Sequence, residues 1–158
     1  MTTTRRATSD DLPFMEEVFI IAADWNPAHQ RGAEHWRADP TFEKYVGGFP
    51  RPTDLGFVAT REGQDVGAIW SRYFTAADPG YGFVDEGTPE LTLGVVAGRR
   101  GEGIGRALMN VMLAASTTDL SLSVEDGNPA IELYRKSGFV EVGRVGDSTT
   151  MLRKRQGS

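Results

Sequence analysis

The sequence predicts a single α/β (α+β) domain, residues 1–158, with a mixed, mostly antiparallel seven-stranded sheet and helices on both faces. Three observations carry that prediction. A chain of 158 residues with 39% hydrophobic and 25% charged content suits one domain with its own core. The apolar period is helical over the first helix and turns strand-like at Leu55, in "LGFVAT" and "VGAIWSRYF". The elements then run strand, two helices, three strands, helix, strand, helix, two strands, so hairpins precede strand–helix–strand units.

Thr3 to Ala7 forms the opening strand. "TSDDLPFMEEVFIIAA" supplies a cap at Thr8 or Ser9, acidic residues in the first turn and an early Pro13. Leu12, Met15, Phe19 and Ala22 share one helical face, which leaves the acidic residues turned outward. The helix stops near "DWNP", since Pro27 forbids continuation. From Ala33 to Tyr45 the pattern is a short helix broken at Pro40, followed by the loop "GGFPRPTD". "LGFVAT" and "VGAIWSRYF" are strands joined by "REGQD" as a hairpin.

"ELTLGVV", Glu90 to Val96, is the fourth strand. A helix follows from about Gly103 to Ser116, then the strand "DLSLSVE" and a helix from near Asn128 to Ser137, with Gly138 as its left-handed cap. "FVEVGRV" and "STTMLRK" close the sheet.

Composition narrows the function. There is no cysteine, which removes disulfides, thiolate nucleophiles and cysteine zinc sites and favours a cytoplasmic setting. The net charge of −5 argues against broad nucleic-acid binding. The N-terminus lacks a signal-peptide pattern, and the longest apolar stretch, "VFIIAA", is too short to span a membrane. His29 and His35 are the only histidines and lack a third ligand, so no metal is expected.

The informative stretch is "GVVAGRRGEGIGRALM", Gly94 to Met109. A Walker loop would need lysine where Ile104 stands, and a dinucleotide fingerprint would need glycine where Arg106 stands. Another kind of phosphate site does fit. A strand enters, a glycine-rich turn exposes amides, and a helix leaves with its free N–H groups toward the turn. Arg99, Arg100 and Arg106 add cationic donors. The competing reading is a turn whose glycines serve conformation alone and whose arginines are solvated.

Downstream, "NPAIELYRKSGF" places Asn128 as a cap before Pro129 and Tyr134 on the helix ahead of Phe139. Arg100, Gly103 and Gly105 resemble the R/QxxGxG/A signature of the GNAT superfamily of acyl-CoA-dependent N-acyltransferases, and "NPAIELYRKSGF" resembles its segment after the fifth strand. The 23 positions from Gly105 to Asn128 match the family's spacing, and the element order matches along nearly the whole chain. The middle of the N-terminal half, Asp24 to Asp54, departs from the pattern; there the family varies and builds acceptor specificity.

The resemblance implies strands 4 and 5 splayed around acetyl-CoA as cosubstrate. Arg100, Gly101, Gly103, Ile104, Gly105 and Arg106 would hold the pyrophosphate, and Gly94, Val95 and Val96 the pantetheine arm, with Gly94 as the place where the strand departs. Asn128 would bond the pantetheine or shape the cleft, or act as a helix cap only. Tyr134 would protonate the leaving thiolate, its other reading being an aromatic that packs helix on sheet. Glu90 would be the base for an alkylammonium of ordinary pKa near 10.4, or else a surface glutamate at a strand end, with Asp85 and Glu86 behind it. The oxyanion would meet a main-chain N–H of Val95 or Val96.

The implied activity is transfer of acetyl from acetyl-CoA to a primary amine of a small molecule or peptide, directly in a ternary complex. The alternative is an inactive acyl-CoA-binding sensor or assembly module. Exposed sheet edges allow a homodimer. Trp25, Trp36, Trp70, Tyr73 and Phe74 either line an acceptor pocket or pack the core.

Overall fold

Thr8 joins the first strand to the first helix. In the computed structural model, which describes residues 1–156, β1 (Thr2–Arg6) pairs antiparallel with β2 (Leu55–Arg61), Thr2 opposite Arg61 and Arg6 opposite Phe57. The Thr8 hydroxyl accepts from the Asp10 N–H, and the Asp11 carboxylate accepts from the Thr8 N–H at 2.8 Å. This capping box starts one 3₁₀ turn, Ser9–Asp11, before α1 (Leu12–Ala23).

Not every acidic residue here turns outward as the periodicity predicts. Asp11 is buried, and Arg5 donates to both of its oxygens at 2.8 Å. A buried carboxylate needs such a partner. α1 presents Met15, Val18 and Phe19 to the core.

The expected broken helix is two helices, α2 (Ala33–Ala38) and α3 (Pro40–Val46). Asp39 divides them: its carboxylate caps the Thr41 N–H at 2.8 Å, and Pro40 occupies the first helical position, where a missing N–H has no cost. β2 and β3 (Gln64–Arg72) are linked by Glu62 and Gly63 alone, with φ of +54° and +76°. That is a two-residue turn of type I′ character, shorter than the "REGQD" link, because Arg61 extends β2 and Gln64 begins β3.

The remaining elements are β4 (Glu90–Val95), α4 (Ile104–Ala115), β5 (Leu120–Glu125), α5 (Ile131–Lys136), β6 (Val140–Val145) and β7 (Ser148–Arg153). The seven strands run in the order β1-β2-β3-β4-β5-β7-β6. β4 and β5 are parallel, whereas β5–β7 and β6–β7 are antiparallel, so the sheet is mixed as expected. The β4–β5 ladder has one register pair, Glu90 with Ser121, consistent with strands that splay.

Packing divides the chain into two compact units, one of Met1–Trp70 with Thr92–Ala114 and one of Ser71–Leu91 with the chain from Ala115 on. In the first, Met15, Val18, Val46, Ile69, Trp70, Leu108 and Met112 are fully buried. The Trp70 indole donates to the Tyr45 carbonyl at 2.9 Å, which pairs the one polar atom that side chain brings into the core. A Cβ at Gly67 would stand 3.1 Å from both Ile104 and Leu108, so the missing side chain lets α4 close on β3. The second unit buries Leu120, Leu122, Val124, Phe139 and Met151. Among the described residues no helix is long and apolar enough to cross a membrane.

Candidate active site

The turn between β4 and α4 is built on three left-handed glycines. Gly98, Gly101 and Gly103 have φ of +86°, +82° and +80°, a region other residues enter only with strain. A Cβ at any of the three would meet nothing within 4 Å, so the turn is open beside them. The Gly103 carbonyl accepts the first helical bond, from Ala107 at 3.0 Å, which makes Gly103 the residue that caps α4. It has no side chain to offer, so the N–H groups of Ile104, Gly105 and Arg106 begin the helix without a side-chain cap. The Ile104 side chain is buried and anchors this helix end in the core.

The three arginines divide. Arg99 lies 3.5 Å from Glu62 and 3.6 Å from Glu102, and Arg61 lies 3.4 Å from Glu102, so Arg99 belongs to a closed ion-pair network. Among the described residues the guanidinium groups of Arg100 and Arg106 have no such partner, and both residues are exposed. Free cationic donors thus flank the open amides.

On β4, Gly94 is glycine for a reason the sequence does not reveal. A Cβ there would lie 2.8 Å from the Val18 side chain and 3.0 Å from the Val18 carbonyl, so it is α1 that requires it. The Val96 N–H donates to the Val66 carbonyl at 2.9 Å. Of the two expected oxyanion donors Val96 is therefore already engaged, and strand alternation turns the Val95 N–H to the opposite edge.

Asn128 caps from further out than expected, because α5 begins at Ile131 rather than near 128. Its Oδ1 accepts from the Ala130 N–H at 3.0 Å, and the Ile131 N–H donates to its carbonyl at 3.2 Å. An Asx turn thus occupies the positions where helix was predicted.

The other end of α5 sets Tyr134 in place. Gly138, at φ +95°, lets its own N–H reach the Arg135 carbonyl at 3.1 Å and the Phe139 N–H reach the Tyr134 carbonyl at 3.0 Å. These are the two bonds of a Schellman motif, and its apolar contact is the edge-on pair of Tyr134 and Phe139 at 6.2 Å. Tyr134 is 8% exposed, and burial pushes its phenol up to about 12, so it holds its proton at neutral pH. Among the described residues its hydroxyl has no hydrogen-bond partner.

Glu90 is buried, 3% exposed, which removes the surface-glutamate reading. Its Oε1 accepts from the Gly82 N–H at 3.0 Å. Across the ladder, Ser121 is fully buried, and its hydroxyl is the one buried side-chain polar atom without a partner among the described residues. Asp85 and Glu86 are exposed and hold loop amides, those of Gly87 and Ala76, both at 2.9 Å. Among the described residues no three metal-binding side chains gather; His35 stands 3.6 Å from Asp39.

Asp24 organises the segment expected to vary. Burial alone would raise its carboxyl, but the amides of Arg31 and Gly32 and the Trp36 indole, at 3.0, 2.8 and 2.8 Å, hold it below the usual range. Trp36 so fixed stands edge-on to Phe19, 5.8 Å away. Trp70 and Phe74 are core residues. Asp24, Gly82 and Ser121 escape sequence reasoning: an aspartate, a loop glycine and a strand serine have no pattern until their partners are known.

A family model described as an acetyltransferase (GNAT) domain matches residues 52–141, more than half of the chain. The chain belongs to the GNAT acetyltransferase family. Members use acetyl-CoA as cosubstrate, and this chain is an acyltransferase of that kind.

Solved structures agree with the GNAT fold. A ribosomal-protein-alanine N-acetyltransferase from Brucella melitensis is 28% identical, with a TM-score of 0.63 over 96% of this chain and 99% of that one. The PaiA N-acetyltransferase of Thermoplasma acidophilum, solved with coenzyme A, is 20% identical, with a TM-score of 0.71 over 98% and 99%. A Salmonella typhimurium acetyltransferase solved with acetyl-CoA is 20% identical, with a TM-score of 0.66 over 99% and 95%. No curated protein sequence matches.

Proposed function

We propose that this GNAT chain moves the acetyl group of acetyl-CoA to a primary amine of a small molecule or peptide, by direct transfer in a ternary complex in the cytoplasm. The observation that carries the reading is the open start of α4, with left-handed glycines, uncapped amides and two unpaired arginines. Such a site suits a pyrophosphate. The bound coenzymes of the Thermoplasma and Salmonella structures support the assignment.

In this reading the amides and side chains of Arg100, Gly101, Gly103, Ile104, Gly105 and Arg106 hold the pyrophosphate. Gly94, Val95 and Val96 line the pantetheine arm, and Asn128, whose Oδ1 already accepts one hydrogen bond in its own turn, offers its amide N–H₂. Glu90 takes the proton from the attacking amine, the Val95 N–H meets the oxyanion, and Tyr134 gives its proton to the departing thiolate. The phenol is suited to that last step, being protonated at neutral pH and free of a competing partner. These roles favour an enzyme over a sensor that only binds acyl-CoA. A homodimer belongs to the same reading through the edge strand β6, whose Val140, Val142 and Val145 are exposed.

A thermal shift with coenzyme A and acetyl-CoA tests binding, and thiol release against an N-terminal-alanine peptide, spermidine, free amino acids and an aminoglycoside tests transfer. Ligand at a hundredfold excess over Kd should add about 2.7 kcal/mol of stability. A shift with turnover supports the enzyme, a shift without turnover on any amine supports the sensor, and no shift contradicts both.

A further inference from the structure

We infer that Gly82 is a positioning residue for Glu90, holding the carboxylate through its main-chain N–H; this rests on the reading of Glu90 as the base. Three facts meet at this point. The Gly82 N–H donates to Glu90 Oε1 at 3.0 Å, in a buried setting. A Cβ at Gly82 would lie 2.6 Å from the Leu122 carbonyl carbon and 2.8 Å from both the Leu122 oxygen and the Ser123 nitrogen. Its φ is not in the left-handed region, so only this contact with the β5 backbone demands glycine.

The consequence is specific to Glu90. The strand cannot yield cheaply, because the obstacle is main chain laddered to β7 through Leu122 with Met151 and Ser123 with Thr150, so the loop must give way. Any side chain at position 82 lifts the loop from β5 and draws the N–H away from the carboxylate. Within the loop, the Phe83 N–H reaches the Gly80 carbonyl at 3.2 Å and the Ala76 N–H reaches Glu86 at 2.9 Å. Glu90 then loses that hydrogen bond, and the hydroxyl of Ser121, which register places on the same face and which lacks a partner, is an alternative donor to its carboxylate. A catalytic group displaced by about 1 Å can cost on the order of a hundredfold in rate.

The test is a double-mutant cycle of Gly82→Ala and Glu90→Gln, read by thiol release from acetyl-CoA with the panel amine that turns over fastest. Positioning predicts that Gly82→Ala lowers kcat about 10- to 100-fold with KM for acetyl-CoA within about twofold, and that it costs nothing further in the Glu90→Gln background. If Gly82→Ala leaves kcat unchanged, or costs the same factor in both backgrounds, the positioning role is overturned while Glu90 keeps its own. If Glu90→Gln alone leaves kcat unchanged, the base assignment fails and takes this inference with it. A measurement independent of both acceptor and variant stability uses amide NMR. The Gly82 amide proton should be protected from exchange in the wild type and lose protection in Glu90→Ala, which removes the acceptor; an unprotected Gly82 amide in the wild type overturns the contact.

Discussion

Tyr134 owes its position to two neighbours and its proton to burial. The left-handed Gly138 folds Phe139 back against it, and desolvation keeps the phenol neutral well past physiological pH. Replacing it with Phe preserves the ring packing and removes only the hydroxyl. Tyr134→Phe should lower kcat by a factor on the order of 10²–10⁴, typical of a lost general acid, and leave coenzyme A affinity within about twofold. Unchanged turnover in a thiol-release assay would remove the assignment. Ser121 gives a contrary prediction: its hydroxyl is buried with no partner, so Ser121→Ala should leave Tm level or raise it. A drop of several degrees would mean that the hydroxyl bonds something essential. At this scale the place of Tyr134 on α5 was legible, since it sits in a short motif. The division among the arginines was not, because Glu62 and Glu102 reach Arg99 only once the hairpin and the turn are folded.

Among the elements, both helices flanking β5 were legible, but for different parts of their length. The start of α4 follows from glycine spacing, and the end of α5 follows from "KSGF", where glycine in the C′ position closes a Schellman motif. The start of α5 was misplaced because Asn128 and Pro129 read as a cap and a first helical residue, whereas the Asn128 side chain instead bonds two residues on. Gly138→Ala tests the cap directly. Forcing a side chain into φ +95° should cost about 1–2 kcal/mol, seen as a Tm lower by roughly 2–8 °C. Because the same turn holds Tyr134, kcat should fall as well, while coenzyme affinity stays. A variant with wild-type Tm and kcat would show that the motif does neither.

For the whole molecule, the order of elements along the chain and the mixed sheet followed from the alternation of hairpins and strand–helix–strand units, and this much was legible in the chain. What was hidden depended on long-range approach: α1 against Gly94, the loop glycine against β5, and Asp11 buried under Arg5. That last pair also sets a pH dependence. The hydrogen bonds from Arg5, and then those from Thr8, hold Asp11 below the usual carboxylate range, and Asp24, Asp39, Asp119 and Asp126 are lowered too. A depressed folded-state pKa gives stability that is present above the unfolded value near 3.9 and lost as pH falls through the folded values. Tm should therefore be level near neutrality and fall below about pH 4, with Asp11→Asn lowering Tm at neutral pH and flattening the acid decline. A Tm independent of pH down to about 3 would contradict the pairing.

The central claim is that one stretch, Gly94 to Arg106, grips acyl-CoA. An amide NMR titration with acetyl-CoA reads that stretch residue by residue. The account predicts that the largest shifts fall on Gly94 to Val96 and on Arg100, Gly101, Gly103, Ile104, Gly105 and Arg106. Binding that leaves those amides unmoved would contradict it.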